Sequence, residues 1–348
     1  MPLVVQRLKP RIILGCMTFG PDKEGGATVN LLDDYKKILD VFQSQGYNEI
    51  DTARTYVNGK QEAFTAAAGW KDRGLTIATK SYPSTPGIHK KEVITEQINT
   101  SLKELQTDTV DIFYLHAADR SVPFTETLEV VNEFHKEGKF VQLGLSNYTA
   151  FEVAEIVITC KERGWVRPTI YQAMYNAITR SIEPELIPAC RRYGLEIVIY
   201  NPLAGGIFSG KYKVNQAPSE GRFSDSLGAL GKRYRDRYFR DSTFAALEII
   251  EPVVKKNGLT LLETAFRWVM HHSALNVKDG NDGIIIGVSS LAQLEGNLND
   301  LEKGPLPEEV VKALDDAWLI NKATAPPYWH LELKYTYDTR KELFGLGG

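Results

Sequence analysis

Short hydrophobic runs rich in β-branched residues recur along the chain and alternate with longer amphipathic stretches. Eight such runs stand out, at residues 12–14, 49–51, 75–79, 110–114, 141–145, 169–172, 196–199 and 283–286. Between them, helical periodicity marks residues 32–45, 90–105, 124–136, 151–161 and 185–193. This alternation predicts repeated strand–helix units around a parallel sheet.

The number of units favours an α/β fold of the closed (β/α)8 barrel type over an open doubly wound sheet. An open sheet that binds a dinucleotide usually carries GxGxxG after its first strand, and here no strand is followed by that sequence. We therefore predict a single barrel domain over residues 1–348. Its functional residues should lie at the carboxyl ends of the strands, because barrels of this type place their chemistry there.

One segment, residues 201–241 after the seventh run, has no clear strand and is too long for an ordinary connection. From Arg222 to Arg240 it carries six basic residues against two acidic ones. The segment is either a solvated insertion or a lid that meets a phosphate or carboxylate, since the loops after strands 7 and 8 commonly hold phosphate. For one or two of its arginines the sequence favours the second interpretation.

Composition narrows the function classes. Lys and Arg total 41 against 44 Asp and Glu, so a general affinity for nucleic acid or anionic membrane is not expected. No run reaches the roughly 18 apolar residues of a spanning helix, and the first residues lack a secretory signal. Cys16, Cys160 and Cys190 lie far apart, which favours reduced thiols in the cytoplasm over a disulfide framework or a clustered zinc site.

Polar residues follow nearly every predicted strand. They are Asp51, Lys80, His116, Ser146, Asn147, Gln172, Tyr200, Asn201, Ser289 and Ser290, and Tyr56 comes five residues after the first of them. A carboxylate, an ammonium, a phenol and an imidazole that converge on one barrel mouth make a proton-transfer site.

Within that site each group has a predicted role. Lys80 would favour the ionised form of Tyr56 and so strengthen it as a proton donor, Asp51 would keep Lys80 charged, and His116 would orient a carbonyl. The chain lacks GxSxG, HExxH and a Cys beside a His. Hydride transfer to a carbonyl, with Tyr56 protonating the developing alkoxide, needs none of these.

Eight motifs together resemble the aldo-keto reductase superfamily over essentially the whole chain. They are GCMTFG (15–20), EIDTARTY (49–56), TIATKS (76–81), DIFYLHAAD (111–119), LGLSNY (143–148), YQAMYN (171–176), YNPLAGGIFSGKY (200–212) and IIIGVSSLAQLEGNL (284–298). Within the superfamily the chain most resembles the aflatoxin-aldehyde reductase group, because it contains the short motifs GKY, GRF, YRDRYF, EKGPLP and PPYW. The resemblance implies a (β/α)8 barrel that binds NADPH first and reduces aldehydes or ketones, with Asp51, Tyr56, Lys80 and His116 as catalytic tetrad.

The resemblance also implies a set of cofactor contacts, which includes Asp51. The nicotinamide carboxamide would bind Ser146, Asn147 and Gln172, and its ring would stack on Tyr200. The pyrophosphate would lie under Asn201, Pro202, Leu203, Gly205, Gly206, Ser209 and Lys211. The adenosine end would contact Gly287, Ser289, Ser290, Gln293 and Asn297.

The adenosine end departs from the superfamily's commoner pattern. A Lys-Ser pair and an Arg are often found where this chain has Gly287-Val288 and Gln293, and Gly296 replaces a Glu. The 2′-phosphate of NADPH thus loses cationic partners, for which Arg222 is the expected replacement. NADPH is expected, with NADH as the alternative.

The substrate side is implied by the same resemblance. Tyr234 and Arg237 match positions that reach the substrate, and Arg237 could hold a carboxylate through its guanidinium fork. Surface pairing of Arg237 with Asp236 or Asp241 is the alternative. His330 stands where the group usually has an arginine, which weakens the case for succinic semialdehyde. Met17, Phe19, Phe223, Tyr328 and Trp329 either line an apolar mouth or serve as packing.

The sequence leaves three alternative functions to weigh against reduction. Some superfamily members hold NADPH as redox-sensing subunits of membrane channels with little turnover. Lys80 could instead form a Schiff base with a carbonyl substrate, which requires an amine away from a carboxylate. A metal site at His271 and His272 is disfavoured, because adjacent helical residues cannot both face one ion. A small-molecule aldehyde or ketone is the expected partner, and homodimers occur in the group that the chain resembles.

Overall fold

The computed structural model describes residues 9–213, 218 and 221–345. Eight parallel strands close into a barrel in chain order, each paired with its sequence neighbours and the first with the last. They are β1 Arg11–Gly15, β2 Glu49–Asp51, β3 Thr76–Ser81, β4 Val110–Leu115, β5 Phe140–Ser146, β6 Ile170–Met174, β7 Glu196–Tyr200 and β8 Gly283–Gly287. The predicted (β/α)8 barrel is confirmed.

Helices surround the barrel. They are α1 Leu32–Ser44, α2 Gln61–Ala67, α3 Lys91–Glu104, α4 Phe124–Lys136, α5 Ala150–Arg163, α6 Leu186–Tyr193, α7 Gly228–Tyr238, α8 Asp241–Lys256, α9 Leu261–His271, α10 Leu291–Glu302, α11 Glu308–Asn321 and α12 Thr339–Phe344. Four 3-10 segments, Tyr56–Gly59, Ala204–Ser209, Asp225–Leu227 and Lys322–Thr324, lie between them. The five helices predicted from periodicity are present, with ends shifted by at most two residues.

Strand ends are where the sequence prediction differs most from the structure. The third run was predicted to end before Lys80, yet β3 continues through Lys80 and Ser81, which pair with Tyr114 and Leu115 of β4. A polar residue ends a hydrophobic run without ending the strand, because the backbone pairing continues and the side chain is satisfied by partners inside the barrel. Lys80 is thus held by the sheet itself.

The barrel interior is a packed core. Ile13, Ala78, Ile112, Tyr114, Ile170, Val198 and Ile285 fill it from alternating positions on the strands. A side chain at Gly144 would collide with the Tyr114 ring, since a Cβ there would lie 2.3 Å from it. Because Ala78 points inwards and side chains alternate, Lys80 points inwards one step closer to the mouth.

The segment after β7 carries 3-10 turns and α7 but no strand among its described residues, as predicted. Residues 214–217 and 219–220 of that segment lie outside the described residues, as do residues 1–8, on which the expectation about a secretory signal rested. After α11 the chain returns across the barrel mouth, where the backbone N–H of His330 donates to the carbonyl of Asn147 at 3.1 Å.

Candidate active site

The four residues predicted as a catalytic tetrad meet at the carboxyl ends of β2, β3 and β4. Asp51 ends β2, Tyr56 begins the 3-10 turn after it, Lys80 lies in β3, and His116 directly follows β4. The register of β2 and β3 pairs Asp51 with Ala78, so the side chains of Asp51 and Lys80 come together inside the barrel.

Lys80 is the centre of this cluster. Its side chain is fully buried, and Nζ donates to Asp51 Oδ1, to the Thr52 carbonyl at 2.6 Å and to the Tyr56 hydroxyl at 3.3 Å. Gln172 Nε2 donates to the other Asp51 oxygen at 2.9 Å. The carboxylate therefore fixes the ammonium, and the ammonium contacts the phenol.

The electrostatics of the cluster are set first by burial. Burial raises the pKa of Asp51 and lowers the pKa of Lys80, while their ion pair opposes both shifts. Burial, followed by the nearby Asp51 charge, raises the pKa of Tyr56 well above its ordinary value. The phenol thus keeps its proton, whereas the sequence had suggested a shift towards phenolate under the influence of Lys80.

The loop that carries Tyr56 has an unusual backbone. Val57, Asn58 and Gly59 have φ of 48°, 53° and 81°, all in the left-handed region that non-glycine residues rarely adopt. Arg54 clamps this loop by donating to the Gly59 carbonyl and pairing with the buried carboxylate of Glu62. Glu62 also accepts from Thr79 Oγ1 at 2.5 Å, which ties the loop to β3.

His116 faces Tyr56 across the mouth. Its ring lies edge-on to Tyr56 with centroids 6.1 Å apart, and edge-on to Tyr82 at 5.2 Å. Burial, with the Lys80 and Arg233 charges, lowers the pKa of His116 well below its usual value. The imidazole is therefore neutral near pH 7 and has one N–H to donate.

The predicted nicotinamide contacts are brought together at the ends of β5, β6 and β7. Ser146 and Gln172 are neighbours in the register of β5 and β6. Asn147 Nδ2 donates to Ser146 Oγ and to the His116 carbonyl, each at 2.9 Å. The Tyr200 hydroxyl donates to Asn147 Oδ1 at 2.7 Å.

The predicted pyrophosphate loop is a series of tight turns. Asn201, Ala204, Gly205, Gly206 and Gly210 all have positive φ, between 50° and 110°. A Cβ on Gly205 would lie 2.8 Å from the Tyr234 ring, so this backbone needs a glycine. Pro202, Leu203, Ser209 and Lys211 are part of the same loop.

The predicted adenosine contacts lie at the start of α10. Ser290 caps the helix by accepting from the Gln293 N–H, and Gln293 Oε1 accepts from the Ser289 N–H and hydroxyl at 2.9 Å. Gly287, Ser289, Ser290 and Gln293 are exposed and Asn297 is buried. All five are uncharged.

The basic segment divides into two sets of side chains. Lys232 pairs with Asp236, Arg235 pairs with Asp225 and Arg240 donates to the Asp236 carbonyl, whereas Arg222, Arg233 and Arg237 contact residues of the mouth. Arg222 Nη1 donates to the Tyr234 hydroxyl at 3.0 Å and lies 3.3 Å from Met17 Sδ. Its polar contacts among the described residues are thus with two of the residues predicted to contact substrate.

Arg237 contacts the C-terminal tail. Its Nη2 lies 2.5 Å from His330 Nε2, which must accept, because arginine has only donors. Burial and the Arg237 charge lower the pKa of His330 well below its usual value, so this histidine is neutral. Among the described residues Arg237 forms no ion pair with Asp236 or Asp241, the two alternative partners, and Asp236 pairs with Lys232.

Several apolar candidates for the mouth act as packing instead. Phe19 and Phe223 are fully buried. The Tyr328 hydroxyl accepts from the Ala150 N–H and donates to Glu185, each at 3.0 Å, so this ring anchors the tail on α5 and the start of α6. Met17 and Trp329 remain partly exposed at the mouth.

Sequence reasoning missed Tyr82 and two arginine–glutamate pairs around the mouth, each with a buried carboxylate. Tyr82 contacts both His116 and His330, and its place directly after β3 was the available signal. The sequence contains no signal for the pairs Arg54–Glu62 and Arg120–Glu152. Charged residues in loops and helices are usually solvated, and no local pattern shows which arginine contacts which glutamate.

The aldo/keto reductase family profile matches residues 11–319 of the chain. The chain belongs to the aldo-keto reductase family. It is 44% identical to an aldo-keto reductase of Pseudocercospora fijiensis over 298 residues, which cover 84% of this chain and all of the relative. It is 40% identical to aflatoxin B1 aldehyde reductase member 2 of Rattus norvegicus, over 92% of this chain and 88% of the relative. Human aldo-keto reductase family 7 member A3 is 39% identical, over 93% of this chain and 98% of the relative.

Membership confirms the resemblance stated from the motifs and makes this aldo-keto reductase an oxidoreductase. The adjacent histidines at the end of α9 have structural partners, since His271 Nε2 donates to the Lys303 carbonyl and His272 Nε2 accepts from the Leu306 N–H. Among the described residues, no helix is both long and apolar enough to cross a membrane.

Proposed function

We propose that this aldo-keto reductase reduces aldehydes, with ketones as further substrates, to alcohols with NADPH. The observation that carries the proposal is the chain of contacts from Asp51 through Lys80 to the Tyr56 hydroxyl at the barrel mouth. A buried ammonium in contact with a neutral phenol suits a proton donor whose conjugate base must be stabilised.

The residues at the mouth fit a nicotinamide dinucleotide. Amide and hydroxyl groups of Ser146, Asn147 and Gln172 can bind the carboxamide, and Tyr200 presents a ring beside them. The positive φ of Gly205 and Gly206 gives a tight backbone turn of the kind whose N–H groups can bind a pyrophosphate. The Tyr234 ring packs against Gly205, so this turn needs a glycine there. When bound, the nicotinamide supplies the hydride.

The chain's own residues handle the proton and the carbonyl. Tyr56 donates its hydroxyl proton to the oxygen that becomes the alcohol, and the Lys80 ammonium at 3.3 Å stabilises the resulting phenolate. Asp51 keeps that ammonium in place. Neutral His116 donates its N–H to the same carbonyl oxygen and so orients it towards Tyr56.

The contact between Lys80 and Asp51 argues against the Schiff-base alternative. An amine that attacks a carbonyl must be unprotonated, and an adjacent carboxylate favours the charged form. The aldehyde instead lies between Tyr56 and the substrate-side residues Met17, Tyr234, Arg237, Trp329 and His330.

A preference for NADPH over NADH rests on Arg222, because the predicted adenosine contacts on α10 are uncharged. Arg222 Nη1 donates to Tyr234 at 3.0 Å, and the remaining N–H groups of the guanidinium are the proposed donors to the 2′-phosphate. Arg222→Met should lower the ratio of kcat/KM for NADPH to that for NADH about tenfold or more. Arg235→Met, in the same segment but paired with Asp225, is the control and should leave the ratio unchanged.

We also propose a cytoplasmic location. Cys16, Cys160 and Cys190 are all buried and unpaired with one another, which suits a reducing compartment.

The test of the proposed function is the loss of NADPH or NADH absorbance with purified protein and an aldehyde panel. The panel contains 4-nitrobenzaldehyde, aromatic dialdehydes and succinic semialdehyde. Turnover with NADPH supports the reductase. NADPH binding by fluorescence without turnover on any aldehyde would contradict it and favour a cofactor-binding subunit.

A further inference from the structure

The chain continues past the mouth residue His330 into a C-terminal strap, residues 331–338, that lies back on the barrel. Arg120, in the loop after β4, reaches this strap with one guanidinium nitrogen. Its Nη1 donates to the His330 carbonyl at 2.9 Å and to the Glu332 carbonyl at 3.2 Å. Arg120 is thus hydrogen-bonded to the backbone carbonyls on both sides of Leu331.

The backbone between those two carbonyls is in an unfavourable conformation. Leu331 has φ of 63°, in the left-handed region, although it is not a glycine. Its side chain is 46% exposed, so packing does not impose that conformation. The two carbonyl bonds from Arg120 are the contacts that hold the turn.

Arg120 is itself held on its other edge by a buried carboxylate. Its Nε and Nη2 donate to the two oxygens of Glu152 at 2.6 and 2.9 Å, a bidentate pair in which both side chains are almost fully buried. Glu152 belongs to the capping box at the start of α5, where its carboxylate also accepts from the Thr149 N–H. The guanidinium orientation is therefore fixed by a helix end.

The strap completes this arrangement with its own contacts. The Tyr335 hydroxyl donates to Glu152 at 2.7 Å, and the Thr336 N–H donates to the Arg120 carbonyl at 3.1 Å. The strap therefore binds both Arg120 and Glu152. A substitution of either residue should loosen the strap and so shift His330, which directly precedes it.

We propose that Arg120 is a positioning residue for substrate binding, acting through the strap on His330. The inference rests on the proposed function, because it concerns the substrate side of that site. With Arg120 in place, the His330 N–H bonds to the Asn147 carbonyl and its ring meets Arg237, which fixes one wall of the mouth. Among the described residues Arg120 has no hydrogen bond to the tetrad, so hydride and proton transfer should depend on it less than substrate binding does.

Two variants that act at different points of the strap test this proposal. Arg120→Met removes both carbonyl bonds and the pair with Glu152. Leu331→Pro leaves that pair intact but forbids positive φ at an exposed position, so it keeps the test valid if the first variant fails to fold. Arg191→Met is the matched control. Arg191 also pairs with a buried carboxylate, Asp282, but this pair lies at the start of β8, at the end of the barrel away from the mouth.

The first readout is steady-state kinetics with NADPH and 4-nitrobenzaldehyde. We expect Arg120→Met and Leu331→Pro to raise the aldehyde KM roughly fivefold or more, and to change kcat and NADPH affinity by a smaller factor than KM. Arg191→Met should lower the melting temperature without moving KM. Unchanged KM in both strap variants of an active enzyme would overturn the proposal.

The second readout does not need activity, so it separates failure of this inference from failure of the proposed function. Trypsin cleavage after the exposed Lys334, followed by mass spectrometry, reports release of the strap. We expect cleavage about threefold faster or more in both strap variants, at a rate unchanged in Arg191→Met. If all three variants are cleaved at the wild-type rate, Arg120 and Leu331 do not hold the strap.

Discussion

Lys80 Nζ lies 3.3 Å from the Tyr56 hydroxyl and donates to it, while the same nitrogen is paired with Asp51. Tyr56 keeps its proton in this site because burial raises its pKa. The ammonium therefore matters most after the proton has left, when the phenolate would be buried and in hydrogen-bond contact with Lys80. Tyr56 thus donates the proton, and the adjacent Lys80 stabilises the phenolate that this leaves.

Lys80→Met tests the ammonium. The variant leaves the buried Asp51 carboxylate with Gln172 but without its cation, which should cost about 3 kcal/mol of the free energy of unfolding and lower kcat by two orders of magnitude or so. Urea unfolding and NADPH oxidation measure the two effects. Arg11→Met is the control, because Arg11 is equally buried, pairs with Glu49 and Glu196, and lies at the opposite end of the barrel. It should lose stability and keep kcat; equal kcat losses in both variants would contradict a specific role for Lys80.

Glu62→Gln tests the clamp on the left-handed loop that carries Tyr56. The variant keeps the shape of the side chain but removes the charge that holds Arg54, so the loop at 57–59 should sample other conformations. We expect kcat to fall about tenfold with NADPH affinity unchanged. Glu263→Gln on α9, which breaks the pair with Arg267, should leave kcat unaltered. A Glu62→Gln enzyme with wild-type kcat would show that the clamp does not position Tyr56.

His89 makes stability depend on pH. Burial lowers the pKa of His89 from 6.5 to about 4, so as the pH falls the unfolded chain takes up this proton first. The stability it contributes is present above pH 6.5 and is lost as the pH falls towards 4, by about 3 kcal/mol in total. Urea unfolding across that range should show wild type losing about 3 kcal/mol relative to His89→Leu as the pH falls. Parallel curves of stability against pH would contradict this assignment.

The barrel and the position of its mouth could be predicted from the sequence, because buried parallel strands and amphipathic helices leave a strong periodic signal. The ends of the strands could not be predicted. Lys80 ends the hydrophobic run at residues 75–79, yet the strand continues through Lys80 and Ser81. The tetrad was named from its motifs, and the register of β2 and β3 brings Asp51 and Lys80 together as expected.

Contacts between distant segments could not be predicted. Arg120 and Glu152 are 32 residues apart, and their pair with the strap depends on the return of the C-terminus across the mouth. The orientation of Arg222 towards Tyr234 is likewise a tertiary effect, since the motif GRF fixes only its place along the chain.

The most direct measurement is steady-state NADPH oxidation by Tyr56→Phe, with NADPH binding followed by fluorescence on the same preparation. The variant removes one hydroxyl and keeps the ring that contacts Lys80 and His116. We predict that NADPH affinity stays within about twofold while kcat for aldehydes falls by about two orders of magnitude or more. A variant that binds NADPH and reduces aldehydes at the wild-type rate would contradict the role of Tyr56 as the general acid.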